Sequence, residues 1–281
     1  MEVRVGCDFT YETDGPTPAV MQVYPYVSDD QLVLRSTREV APEVPVGEFT
    51  DVYGNICWRF VMPGGRCTVH FDAVVDVSGE LDHVYPDARQ MPVQDLPDDA
   101  LQFTLPSRYC LPEVLAGDEW QLFSSVESGW RRVQAVCDWV HTNIRFQYGT
   151  STPYTTSADV FETRVGVCRD YAHLAISFCR ALNIPARYVF GYLPDIGVTA
   201  SHAVMDFCAW FEVYLEGGWY TFDPRNNQRR VGRVVIGKGR DALDVAMATT
   251  YGQHRLLNMT VLAERVGSAA NPENEVQHCN A

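Results

Sequence analysis

The chain has 281 residues, enough for two domains that each bury a core, and a globular composition, 46% hydrophobic and 21% charged. Its formal net charge of −14 argues against nucleic-acid or anionic-membrane binding, because a phosphate backbone needs a clustered cationic face. No segment approaches the ~18 apolar residues that span a bilayer, and the opening Met-Glu-Val-Arg-Val-Gly lacks the basic and apolar regions of a signal peptide. Nine cysteines form neither a disulfide nor a zinc-ligand spacing. Cys7, Cys57, Cys67, Cys110, Cys137 and Cys179 sit among apolar neighbours and read as small buried hydrophobes. A reducing cytoplasm is the expected compartment. Lys238 is the only lysine, a scarcity that reads as codon bias ahead of a device to limit self-modification in an enzyme acting on amines.

Residues 1–105 read as a β-rich unit. Met21–Tyr26, Gln31–Leu34, Ile56–Val61 and Cys67–Val77 alternate or run apolar between Gly and Pro turns, a spacing that suggests a small β-sandwich. Asp51-Val-Tyr-Gly-Asn55 reads as a hairpin or bulge with Gly54 or Asn55 at positive φ. The proline-bearing stretch Asp82–Pro106 is the expected linker.

Residues 106–281 read as an α+β core. Trp130, Val133, Val136, Cys137, Val140 and Ile144 recur at helical spacing after a cap candidate, Ser128. Ser157 is placed to cap Ala158–Thr163. A third helix is expected from about Cys168 to Leu182, stopped by Asn183-Ile-Pro185. Ala186–Leu193, Cys208–Leu215, Trp219–Phe222 and Leu256–Ala263 then read as strands of an antiparallel sheet.

The chemistry centres on Gly166-Val-Cys168-Arg-Asp-Tyr-Ala-His. A thiol is nucleophilic as thiolate, and the partial positive charge of a helix start favours that form. Asp223 ends a strand in Trp219-Tyr-Thr-Phe-Asp223-Pro, where it could orient a base on the preceding strand. His173 falls about 140° round the helix from Cys168 and reads as a hydrogen-bonded core histidine. Asp170 and Arg180 read as structural ion pairs, and Asp241 as the N-cap of a helix over Ala242–Met247. Gln147 and Tyr148 are candidates for the oxyanion side.

Three stretches carry a resemblance: Gly166-Val-Cys-Arg-Asp-Tyr-Ala-His-Leu-Ala, Cys179-Arg-Ala-Leu-Asn-Ile-Pro-Ala-Arg-Tyr-Val-Phe-Gly-Tyr-Leu193, and Ala209-Trp-Phe-Glu-Val-Tyr-Leu with Trp219-Tyr-Thr-Phe-Asp-Pro. Together they resemble the bacterial transglutaminase-like superfamily, papain-like thiol enzymes. Gly239-Arg-Asp-Ala-Leu-Asp244 also looks like that family. Pro16-Thr-Pro18 and Asp51–Asn55 are similar to the β-rich domain that precedes its core. The resemblance implies that Cys168 is a nucleophile forming a thioester, that Asp223 orients the base, and that helix amides hold the oxyanion. It implies an acyltransferase or amidohydrolase acting on a peptide, protein or small acyl substrate, with no cofactor and no metal.

The family's base histidine aligns with Cys208, fifteen residues before Asp223. Thiols carry protons poorly near neutral pH, since their unperturbed pKa lies about two units above that of imidazole. Four readings of Cys208 follow. His202, on the loop 197–205, could serve as substitute base. The protein could be a silent binding module. Cys168 and Cys208 could form a redox-sensitive disulfide. The set Cys168, Cys208, His202 and Asp223 could hold a metal.

Overall fold

The computed structural model describes residues 1–199 and 204–267. The first six strands are β1 (Glu2–Thr13), β2 (Thr17–Met21), β3 (Gln31–Ala41), β4 (Gly47–Thr50), β5 (Ile56–Met62) and β6 (Gly65–Val77). Helices α1 (Asp98–Leu101), α2 (Asp118–Phe123), α3 (Trp130–Asn143), α4 (Ser157–Thr163) and α5 (Cys168–Ala181) follow, with β7 (Arg145–Phe146) before α4 and β8 (Val165–Gly166) before α5. The chain then runs through β9 (Ala186–Tyr192), β10 (Cys208–Leu215), β11 (Gly218–Phe222), β12 (Val234–Gly239), β13 (Ala248–Thr250) and β14 (His254–Arg265). This is the expected α+β class: a β-sandwich followed by a papain-like core of helices on an antiparallel sheet.

The sandwich has two four-stranded sheets, in the orders β14-β1-β6-β3 and β13-β2-β5-β4. Val3, Val5, Cys7, Phe9 and Tyr11 alternate inward along β1, as a half-buried strand requires. Trp58 of one sheet meets Phe71 of the other edge-on, with ring centroids 5.4 Å apart. The strand expected at Leu256–Ala263 forms, but not in the core sheet: β14 pairs with β1 and β13 with β2. The chain returns to complete the sandwich it began. Alternation identifies a strand but not its partner, which is why this placement eluded the sequence.

The third sheet runs β11-β10-β9-β12, antiparallel throughout. Helix α5 packs on it while α3 and α4 cover the helix from the other side, with Trp139 and Phe123 set edge-on against Phe178. Every residue of α5 from Asp170 to Arg180 is buried. Among the described residues Arg180 makes no ion pair of the kind expected; it donates to the carbonyls of Leu105, Ala186 and Arg240 and to Ser107 Oγ. Several caps also differ by a residue or more. Thr156, not Ser157, exchanges side-chain and backbone hydrogen bonds with Asp159 to cap α4, while Ser157 Oγ accepts from Leu111 N–H at 3.0 Å. Gly129, at φ 96°, takes the capping position of helix α3 in place of Ser128, and no side chain caps the helix. No helix follows Asp241; its carboxylate accepts from the Leu243 and Tyr109 N–H groups in a turn.

The Asp51–Asn55 hairpin joins the sandwich to the core. Gly54 lies at φ 85°, where a Cβ would also meet Tyr26 Oη at 2.8 Å. The buried Asn55 amide donates to Asp51 Oδ2 and to the Lys238 carbonyl at 2.9 Å, and accepts from Lys238 N–H at 2.8 Å. Asn55→Ala leaves the Lys238 groups of β12 without partners, so we expect a loss of about 2–3 kcal/mol, read as a lower urea midpoint at unchanged slope.

Candidate active site

Cys168 is the first residue of α5, and the approach to it is tightly built. Strands β7 and β8 pair in parallel just ahead of the helix. A Cβ on Gly166 would lie 2.8 Å from Asp170 Cβ, so glycine allows the chain to pass beneath the first helical turn. Asp170 Oδ2 accepts from Val167 N–H at 2.9 Å and Oδ1 accepts from Ser151 Oγ at 2.9 Å. Arg169, next to the thiol in sequence, pairs with Asp170 at 3.1 Å and donates to the Thr152 carbonyl, so its charge serves this loop.

Cys208 is the first residue of β10 and lies opposite Gly191 of β9. A Cβ on Gly191 would fall 2.2 Å from the Val234 carbonyl, so strand packing demands glycine there. The register brings Cys208 into one apolar cluster with Val189, Leu193 and Trp210, against which Cys168 packs. The two thiols thus meet although forty residues apart in sequence. Both line a cavity of about 210 Å³ whose walls include Tyr148, Met205, Asp206, Phe207 and Arg225. Gln147 does not line the cavity; its N–H donates to the Gly166 carbonyl.

Electrostatics separate the two thiols. The Cys208 thiol, as hydrogen-bond partner, holds Cys168 below the usual thiol value of 9.0, against the opposing effects of burial and Asp206 and with help from the Ala209 N–H and the Arg225 charge. Cys208 is pushed well above 9.0 by the same hydrogen bond, by burial and by the negative charge on Cys168. The bias is reciprocal: the contact that draws Cys168 toward thiolate makes Cys208 the harder of the two to ionise. Burial raises Asp206 above the usual carboxylate range.

Asp223 lies just past β11 and is buried, but no imidazole holds it among the described residues. Arg233 Nη2 donates to its Oδ2 at 3.0 Å, and Asn226 donates to both oxygens, from its N–H at 2.9 Å and from Nδ2 at 2.8 Å. Arg233 also pairs with Asp82 at 3.0 Å and lies over the Trp210 ring. Asp223 thus orients a guanidinium, which stays protonated and cannot act as a base. Sequence reasoning assigned no role to Arg233, Arg225 or Asp206. The only signal for the arginines was four of them at 225, 229, 230 and 233. His202 lies outside the described residues. No group of three or more metal-ligating side chains occurs among the described residues. His173 is a core histidine: Nε2 accepts from Ala242 N–H at 3.1 Å, the ring stacks on Tyr109, and burial lowers its pKa well below 6.5.

Residues 121–224 match the transglutaminase-like superfamily, a span that holds Cys168, Cys208 and Asp223. An uncharacterised protein of Mycobacterium tuberculosis is 30% identical over 220 residues, covering 69% of this chain and 68% of its own length. The chain belongs to the transglutaminase-like superfamily. An uncharacterised Mycobacterium leprae protein is 27% identical over 77% of this chain and 79% of its own. Among solved structures, a Cytophaga hutchinsonii protein provisionally called a cysteine protease is 31% identical, with a TM-score of 0.86 over 97% of this chain and 93% of its own. Its extent shows that the transglutaminase-like core and the sandwich occur together in that relative as they do here.

Arg233→Met removes the cation shared by Asp223 and Asp82 and leaves a buried carboxylate unpaired. A loss of about 3–5 kcal/mol is expected, read by calorimetry as a lower Tm.

Proposed function

We propose that the protein is a cysteine-dependent acyl-transfer enzyme, in which Cys168 attacks an amide, peptide or thioester carbonyl and holds the acyl group as a thioester. One observation carries this reading. Of the eight described cysteines, Cys168 alone is drawn toward thiolate, while the others are pushed up, Cys57 to about 11 and Cys7 and Cys110 to about 12. It is also the one that is not fully buried, and it opens on a cavity.

The chemistry follows from the opposite bias of the two thiols. The Cys168 thiolate adds to the carbonyl carbon, and the C–N bond of an amide breaks as Cys208 gives its proton to the departing nitrogen. The Cys208 thiolate, close to Arg233, then takes a proton from the incoming water or amine, whose attack releases Cys168. A thiol held far above neutral pKa is a slow proton donor. Thioester donors, whose leaving thiolate departs without a proton, are therefore favoured over amides. The chain's one lysine is 19% exposed and paired with Glu212 at 3.5 Å, which disfavours self-acylation. A free thiolate suits a reducing compartment such as the cytoplasm. Peptides, proteins or small acyl compounds are the partners this reading requires.

The clamp of Arg233 and Asn226 on Asp223 favours a second reading, a binding module without turnover. Alkylation separates the two. With an acyl-transfer site, the rate of Cys168 modification by iodoacetamide, followed by peptide mass spectrometry, rises with pH about a midpoint below 9.0. A rate no faster than that of the buried thiols would sink the acyl-transfer reading. Cys208→His is expected to raise amide hydrolysis by about 10²-fold or more if the remaining site is competent. His202→Ala should leave thioester turnover unchanged; a large loss would move the base from Cys208 to that histidine.

A further inference from the structure

Cys208 does more at this site than stand where a base is expected. Cys168 packs against the cluster that Cys208 forms with Val189, Leu193 and Trp210, and the two thiols are hydrogen-bond partners. Both sulfurs border the same cavity, so a small solute that reaches one lies beside the other. The ordered start of α5 and the register of β10 against β9 hold the two cysteines in place, and neither lies on a loop. We propose that Cys168 and Cys208 form a two-thiol oxidation site, at which a hydroperoxide converts the pair to a reversible disulfide. The proposal goes beyond the acyl-transfer reading and does not depend on it, because it requires only the thiolate and its neighbour.

The chemistry divides between the two sulfurs. The Cys168 thiolate attacks the terminal oxygen of the peroxide; the O–O bond breaks, and the leaving oxygen takes a proton and departs as water or alcohol. Cys168 is then a sulfenic acid. Cys208 loses its proton and its sulfur attacks that of Cys168, forming the S–S bond and expelling hydroxide, which leaves as water with that proton. Two thiols lose two electrons and the peroxide gains them. The asymmetry between the thiols suits these roles, with Cys168 the more readily ionised and Cys208 the more firmly protonated. Cys208 also protects: without a resolving thiol a sulfenic acid goes on to sulfinic acid, which dithiothreitol does not reduce. Of the other cysteines described, each is buried and none packs with Cys168 in this cluster.

The test begins with reduced wild-type protein and equimolar hydrogen peroxide, followed by alkylation and non-reducing peptide mass spectrometry. We expect one cross-linked pair, the Cys168 and Cys208 peptides less two hydrogens, fully released by dithiothreitol. We also expect the remaining described cysteines to stay alkylatable after unfolding. Cys208→Ser and Cys208→Ala, each checked by circular dichroism, should give no cross-link and about tenfold more Cys168 sulfinic acid at equal peroxide. Wild-type Cys168 oxidised to sulfinic acid as readily as in the variants would overturn the proposal. So would a disulfide from Cys168 to another cysteine, or no oxidation of Cys168. The wild-type measurement is decisive even if neither variant folds. Acyl transfer is assayed separately on reduced protein, so loss of that activity and loss of the disulfide are independent results.

Discussion

The burial of helix α5 on every side is the constraint from which the site follows. A helix enclosed along eleven consecutive residues from Asp170 to Arg180 has no water to satisfy its polar groups, so each must carry partners into the interior. Asp170 does this at the N-terminal end by accepting from Val167, Ser151 and Arg169. Arg180 does it at the other end by saturating three carbonyls and a hydroxyl. These two anchors fix the helix along its axis against the β9–β12 sheet. Cys168 then emerges at one place only, at the rim of the 210 Å³ cavity. The fixed position of the Cys168 thiol is a by-product of satisfying a buried helix.

Around that thiol the charges divide into two separate groups. Arg169 and Asp170 serve the helix start, and Arg233 joins Asp223 to Asp82 on the far side of Trp210. Neither group places a cation directly against the Cys168 sulfur. What favours its ionisation is a neutral donor, the Cys208 thiol, supplemented by a backbone N–H and the more distant Arg225. A neutral thiol cannot supply the attraction of an imidazolium, so the bias is modest and reciprocal: what Cys168 gains in acidity Cys208 loses. The same reciprocity leaves Cys208 a poor proton donor near neutral pH.

Much of this was legible in the residues. The alternation of β5 and β6, the helical spacing of α3, the start of α5 at Cys168 and the strand opening at Cys208 all appear where the pattern put them, because each depends on neighbours within a turn or a pleat. The long motifs carried the family as well. Misreadings cluster where a side chain chooses between nearby partners. Thr156 and Ser157 are both competent caps, and the chain's path assigns one to Asp159 and the other to Leu111. Arg180 could pair with a carboxylate, but the carbonyls gathered around it fill its donors first.

By itself the sequence determined where the chemistry-bearing residues stand in secondary structure: a thiol opening a helix, a second thiol opening a strand, and a carboxylate closing the next strand. Those are local properties, set by residue type and backbone periodicity. Only the tertiary structure decided that β14 closes the first sheet, that Arg233 and not a base takes Asp223, and that the two sulfurs pack together. Each of these pairings joins distant elements or reaches across a reversal of the chain. Their selection rests on strand register and on how the whole core closes, and no local period encodes that.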